Sequence, residues 1–220
     1  MSAVSSTTTA IEHLVLFSID SSIPSSQIDS FLAKANSLKA LPNVTHLTAS
    51  PVYNPCSTDA EPFTHIIHAR YASKEDLDAY SSHPSHRSVI AEFAPFVSDT
   101  VAVDWVVCCE GDQVAVRPGS AARVVLVKVK EEGDKDGILE VLKKVKSGSC
   151  REGKSVEVSF GENFSPGRSK GYEIGMLAVF SDVEELDDGL SEFADDLDSQ
   201  AEMIDGIIVL DFIVPSPPAV

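Results

Sequence analysis

All six histidines of this 220-residue chain, His13, His46, His65, His68, His83 and His86, stand in its first half. Two of them share the segment Tyr80-Ser-Ser-His-Pro-Ser-His86. A neutral imidazole takes a proton from a carbon next to a carbonyl, and a phenol hydroxyl hydrogen-bonds the enolate that develops. Tyr80 and His86 are six residues apart around a helix that Pro84 breaks, so they converge on one pocket mouth. They are the candidate catalytic pair, suited to a cofactor-independent aldol-type cyclase or lyase. His13 and His65 fall on inward-facing strand positions among Val15, Phe17, Phe63 and Ile67. An imidazole in apolar surroundings must find a partner, so His13, His65, Phe17 and Phe63 are the candidate ligand-binding residues. Plainer roles compete: His13 and His65 bonded to each other or to a backbone carbonyl, and His86 capping or bridging the helix break. His83 is expected to be exposed, and His46 and His68 to lie on the strand surface. The cluster lacks the third ligand at helical spacing that a zinc site needs. Cys56, Cys108, Cys109 and Cys150 contain no Cys-x-x-Cys pair and are expected to be reduced, partly buried and inert. No metal and no cofactor is expected.

The elements that must position these groups repeat. Gly111, Asp112, Pro118 and Gly119 mark a break between two apolar stretches. It divides the chain into a site-bearing module over 10–110, a linker over 111–120 and a second module over 121–215. In the first module, strands are expected over 11–19, 44–53, 63–71 and 100–108. A helix follows the first strand, with Ser26 and Asp29 at capping-box spacing and Ile28, Phe31, Leu32, Ala35 and Leu38 on one face. Ser73 caps a short helix that Pro84 interrupts before it continues to Phe96. The second module has strands over 123–130, 154–160, 172–180 and 206–214, with Ile138, Val141, Leu142 and Val145 on a helix face and an acidic helical stretch over 182–203. The order is β-α-β-β-α-β twice, an α+β chain of two ferredoxin-like modules. Both faces of the first and last strands of the first module are apolar, and helices cover only one. The two modules are therefore expected to pack sheet to sheet as an intramolecular pseudo-dimer, through Val15, Phe17, Val103 and Trp105 on one side and Val125 and Val127 on the other.

Local motifs of the first module carry a family likeness. They are Glu12-His-Leu-Val-Leu-Phe17, Phe63-Thr-His-Ile66, Ser73-Lys-Glu-Asp-Leu77, Tyr80-Ser-Ser-His-Pro-Ser-His86 and Val101-Ala-Val-Asp104. The chain resembles the stress-response A/B barrel family, or dimeric α+β barrel family, of plants and bacteria, as a tandem plant-type member. The resemblance covers about residues 10–108, and Tyr-x-x-His-Pro-x-His is its most specific part. The second module matches through Val125-Leu-Val127, Gly161-Glu-Asn-Phe-Ser165, Phe180-Ser-Asp-Val-Glu-Glu-Leu186 and Val209-Leu-Asp-Phe212. The resemblance implies a barrel of two β-α-β-β-α-β units, which single-module members build as homodimers. It implies a stress- or defence-responsive protein, antifungal in some members, that binds a small apolar ligand. The alternative is a branch similar to polyketide cyclases, in which the Tyr and the His matched by Tyr80 and His86 do the chemistry. Histidines matched by His13 and His65 line that branch's pocket.

Aligned through the strands, the second module carries Arg123, Ile174, Gly189 and Asp195 where the first carries His13, His65, Tyr80 and His86. It is read as the structural half, and its run of ten carboxylates from Asp182 to Glu202 as a solvated helix face. The net charge is −17, with 5 basic against 13 acidic residues up to Asp112 and 12 against 21 beyond it. Acidity in both halves argues against nucleic acid and against an anionic membrane as partners. No apolar run approaches the roughly 20 residues of a membrane helix, and the short Ser/Thr-rich N-terminal arm lacks the features of a secretory signal. The expected setting is cytoplasmic. The expected partner is a small apolar or polyketide-like molecule, with room for self-association beyond the paired modules.

Overall fold

The computed structural model describes residues 8–57, 63–109, 116–149, 156–188 and 200–216. The first half runs β1 (Thr8–Ile19), α1 (Ser25–Ser37), β2 (His46–Ser57), β3 (His65–Tyr71), α2 (Lys74–Ser82), α3 (Pro84–Phe93) and β4 (Val97–Cys109). The second runs β5 (Ala121–Val129), α4 (Lys135–Ser149), β6 (Glu157–Glu162), β7 (Ile174–Phe180), α5 (Val183–Asp188) and β8 (Ile204–Ile213). Of the acidic helical stretch expected over 182–203, α5 forms the start and 189–199 lies outside the described residues. Part of the expected linker, 110–115, also lies outside them. The remainder turns at Gly119, which takes the left-handed φ of +88° that favours glycine.

All eight strands form one antiparallel sheet in the order β4-β1-β3-β2-β8-β5-β7-β6. The two halves join edge to edge where β2 pairs with β8, Val52 opposite Phe212. The far edges meet at a bridge between Trp105 and Asn163, where the Phe164 amide donates to the Asp104 carbonyl at 2.9 Å. The sheet thus curls into a barrel whose strand edges face each other.

Alternation along the strands sends one set of side chains into the barrel and the other toward the helices. The barrel interior holds Leu14, Leu16, Ile66, Val101, Val103 and Trp105 from the first half. It meets Val124, Leu126, Leu177, Leu210 and Phe212 from the second. The helix-facing set is Ile11, Phe17, Ile67 and Tyr71 against Phe31, Ala35, Leu77, Tyr80 and Phe93. The second half repeats the arrangement with Val125, Val127, Ile174 and Met176 against Ile138, Leu142 and Leu186. The interface is therefore formed by the opposite face from that expected at four positions. Val15, Phe17, Val125 and Val127 lie under helices, whereas Val103 and Trp105 do face the partner half. Strands apolar on both faces carry no signal for which face meets which cover. The Ser26–Asp29 capping box does not form either, because α1 begins at Ser25 after Pro24, with no side-chain cap. Ser73 does cap α2, accepting from the Asp76 amide at 3.1 Å.

Glu12, flanked in its barrel-facing row by Ala10 and Leu14, is buried with a set of polar partners. Arg70 donates from Nε to both Glu12 oxygens at 2.9 Å, His68 Nε2 lies 2.7 Å from Oε2, and Ser159 of the second half donates to Oε1 at 3.0 Å. Burial alone would raise the Glu12 carboxyl, but His68 and Arg70 outweigh it and hold it at about 2. His68 is 0% exposed, not on the strand surface, because its row faces the barrel.

Candidate functional site

The candidate side chains His13, Phe17, Tyr80 and His86 sit outside the barrel, in a cavity of about 330 Å³ between the sheet and the helices of the first half. Strands β1, β3 and β4 supply Phe17, Ile67 and Val97 to its floor and His13 to one wall. Helix α1 adds Phe31, α2 adds Tyr80 and Ser81, and α3 adds His86, Ile90 and Phe93.

The break between α2 and α3 aims the two motif residues. His83 ends α2 in an extended conformation and caps α3, its Nδ1 accepting from the Ser85 amide at 3.2 Å, while Pro84 takes the first position of α3. In an unbroken helix, residues six apart would point about 120° away from each other. Across the break, the Tyr80 and His86 rings approach to 4.5 Å between centroids, and His13 stands 6.5 Å from Tyr80 on the other side. The three therefore form a row along one wall.

The hydrogen bonds fix which ring nitrogens remain available. His13 Nδ1 lies 2.5 Å from Asp104 Oδ1, and the two residues are paired across β1 and β4. Burial would raise the Asp104 carboxyl, but the hydrogen bond and charge of His13, with Ser165 and Arg168, hold it below its ordinary value. An ionised Asp104 only accepts, so His13 Nδ1 carries the hydrogen of that bond. His86 Nδ1 lies 3.1 Å from the Ser81 carbonyl, which also only accepts. Burial lowers the His86 pKa against that hydrogen bond, favouring the neutral ring whose Nε2 is the acceptor. The Tyr80 hydroxyl, pushed up to about 12 by burial, stays protonated and can donate. The wall thus offers an acceptor imidazole at His86 and a donor phenol at Tyr80, with His13 held by Asp104 beside them, above an apolar floor.

Two expected site residues lie elsewhere. His65 stacks on Phe17 from behind at 5.6 Å, with its Nδ1 2.7 Å from Thr64 Oγ1, and does not line the cavity. Phe63 belongs to the barrel core. Two residues with no expected role enter instead. Asp104 orients His13, and its place in the quoted Val101–Asp104 motif was the signal for it. Arg168 lines the cavity although it comes from the second half, on the turn Pro166–Arg168. Its sequence neighbourhood gave no sign of this.

The second half has a different arrangement at the matching place. Strand register sets Arg123 and Asp211 where His13 and Asp104 stand. Arg123 forks onto Asp211 at 2.8 and 2.9 Å, fully buried, and Ile174 packs in the core. Gly189 and Asp195 lie outside the described residues, as does Cys150. Among the described residues, no group of three or more His, Cys, Asp or Glu is placed to hold a metal ion, and no helix is long and apolar enough to cross a membrane.

Comparison with known proteins agrees with the two-fold repeat. The profile of the stress responsive A/B barrel domain matches residues 11–107 and again 121–214. Two stress-response A/B barrel domain-containing proteins of Arabidopsis thaliana are similar over nearly the whole chain. One is 37% identical over 210 residues, 94% of this chain and 79% of its own. The other is 36% identical over 207 residues, 94% of this chain and 97% of its own. Among solved structures, a monooxygenase-like protein of Fusobacterium nucleatum shares the fold at a TM-score of 0.68 with 14% identity, over 94% of this chain and 93% of that one.

Proposed function

The chain belongs to the stress-responsive A/B barrel family through both of its halves, and on that premise we propose that it is a stress- or defence-response protein that binds a small, mostly apolar molecule in the cavity of its first half. The observation that carries this reading is the cavity itself: about 330 Å³, lined by Phe17, Phe31, Ile67 and Phe93, with His13, Tyr80 and His86 converging on one wall. Pockets that hold small ligands have this make-up, apolar walls with a few convergent polar groups, and start at about 300 Å³. The test is native mass spectrometry of the protein purified from its source. We expect a retained small molecule that is released on denaturation and whose occupancy falls in Tyr80→Phe and His86→Ala. Protein that emerges empty, and gains no thermal stability from any member of a broad panel of apolar metabolites, would overturn the reading.

A second reading is favoured by the Nε2 acceptor of His86 beside a protonated Tyr80. In it the protein is a cofactor-independent cyclase or lyase. One imidazole takes the proton next to a substrate carbonyl, and the Tyr80 hydroxyl donates to the enolate oxygen. In the aldol direction the enolate carbon then attacks a second carbonyl of the same molecule, and the imidazolium returns its proton to the new alkoxide. Turnover of a linear poly-β-ketone that drops about a hundredfold in His86→Ala supports this chemistry. Binding without turnover leaves the protein a ligand carrier.

A further inference from the structure

We propose that Arg168 is the specificity residue of the first-half cavity and that the molecule held there is an amphipathic carboxylate, its apolar body on the aromatic floor and its carboxylate on the Arg168 guanidinium. This rests on the ligand-binding reading above and names its chemical class. The cavity wall is supplied by the first half except at Arg168, which the second half brings in. Among the described residues, Arg168 makes no ion pair with any carboxylate, although the chain carries a net charge of −17. A guanidinium left open at the mouth of an apolar cavity, on so acidic a protein, suits a planar anion that it can fork. A single cation also fits the single charge of a carboxylate better than the two of a phosphate.

The turn that carries Arg168 is fastened to the first half. The Asp104 amide donates to Asn163 Oδ1 at 3.1 Å, and the Ser165 amide shares that acceptor at 2.9 Å. Lys74 of α2 lies 4.0 Å over the Phe164 ring, and Lys170 pairs with Asp99. Asp104, whose carboxyl the charge of Arg168 helps to hold below its ordinary value, is already engaged by His13 at hydrogen-bond distance. The turn is thus held in register with the imidazole wall, so a carboxylate on the Arg168 it carries sets the depth to which the rest of the molecule enters.

Calorimetric titration of the full chain at low salt, with 4-phenylbutyrate and its neutral counterpart 4-phenylbutanol as probes, tests this. The carboxylate should bind more tightly than the alcohol. Arg168→Gln should weaken the carboxylate about tenfold, the scale of a charge-assisted hydrogen bond, and leave the alcohol unchanged. Arg168→Lys should restore part of the difference. Lys143→Gln, an exposed lysine of α4 that does not line the cavity, should alter neither probe, which separates a local contact from net charge. Equal binding of the two probes, or equal weakening of both by Arg168→Gln, would overturn the proposal while the ligand site stood. If neither probe binds, the ligand-site reading fails and this inference falls with it.

Discussion

Four of the histidines, His46, His65, His68 and His86, have pKa values lowered from 6.5, in each case chiefly by burial. His46 is pushed down to about 3. Each takes a proton more readily in the unfolded chain than in the fold. Unfolding therefore binds protons, and the stability these rings contribute is complete above 6.5 and is lost as the pH falls below it. Glu12 and Asp104 act lower. Held below their ordinary 4.5 and 3.8, they contribute above those values and lose the contribution in stronger acid. Urea midpoints should be level from pH 8 to about 7 and decline from about pH 6.5 downward. The ring protons of His86 should titrate in NMR below 6.5. A midpoint unchanged down to pH 5, or a His86 value above 6.5, would show that these rings do not bear the desolvation that burial implies. At this scale the sequence was legible where spacing and a proline break acted together, as at Tyr80 and His86. It was only partly legible where a partner came from afar: the Val101–Asp104 motif pointed to Asp104 but not to its pairing with His13 across 91 residues of chain, and Arg168 arrives from the other module with no signal.

The elements show a similar division. The order β-α-β-β-α-β follows from alternation, from the Ser73 cap and from the break at Pro84, so the architecture could be read directly. Which sheet face meets helices could not, since β1 is buried on both sides. The clue lay in charge rather than hydropathy. Glu12, His68 and Arg70 are ionisable residues in the rows of β1 and β3 that also bear Leu14, Leu16 and Ile66, and rows that share a buried ion network must face the same interior. That network differs between the halves. Strand register places Ala122, Leu177 and Val179 where Glu12, His68 and Arg70 stand. Glu12→Ala strips Arg70 of its carboxylate inside the barrel and should cost about 3–5 kcal/mol in denaturant unfolding. The triple change E12A/H68L/R70V imports the second half's residues and should recover most of that loss. A triple variant no more stable than the single would mean that packing, not ion pairing, governs the site.

For the molecule as a whole, the decisive feature is that each half's outer strands are completed by the other. β2 is bound by β8, and β4 is bridged to the segment after β6. Residues 1–112 made alone would expose both edges and the barrel face that bears Leu14, Leu16 and Trp105. Sedimentation should find that fragment as a homodimer or as aggregate. A well-behaved monomer would mean that the first half closes its barrel face without a partner.

Trp105 reaches across the seam onto two glycines. A methyl group added at Gly175 would lie 2.6 Å from its ring, and one at Gly161 3.1 Å from its side chain. The opposite seam has no such arrangement. Strand register puts Phe212 in the place of Trp105, with Ser50 and Ile66 where the glycines would be. In a barrel made of two identical chains, any residue altered at one seam is altered at both, and a bulky ring must find its hollow twice. Joining the halves in one polypeptide removes that symmetry. A knob and its hole can arise at one seam only, a buried charge can be kept on one side only, and one half can lend an arginine to a site it does not itself possess. Fusion thus frees the two copies to specialise against each other, and the tether keeps them together at any dilution.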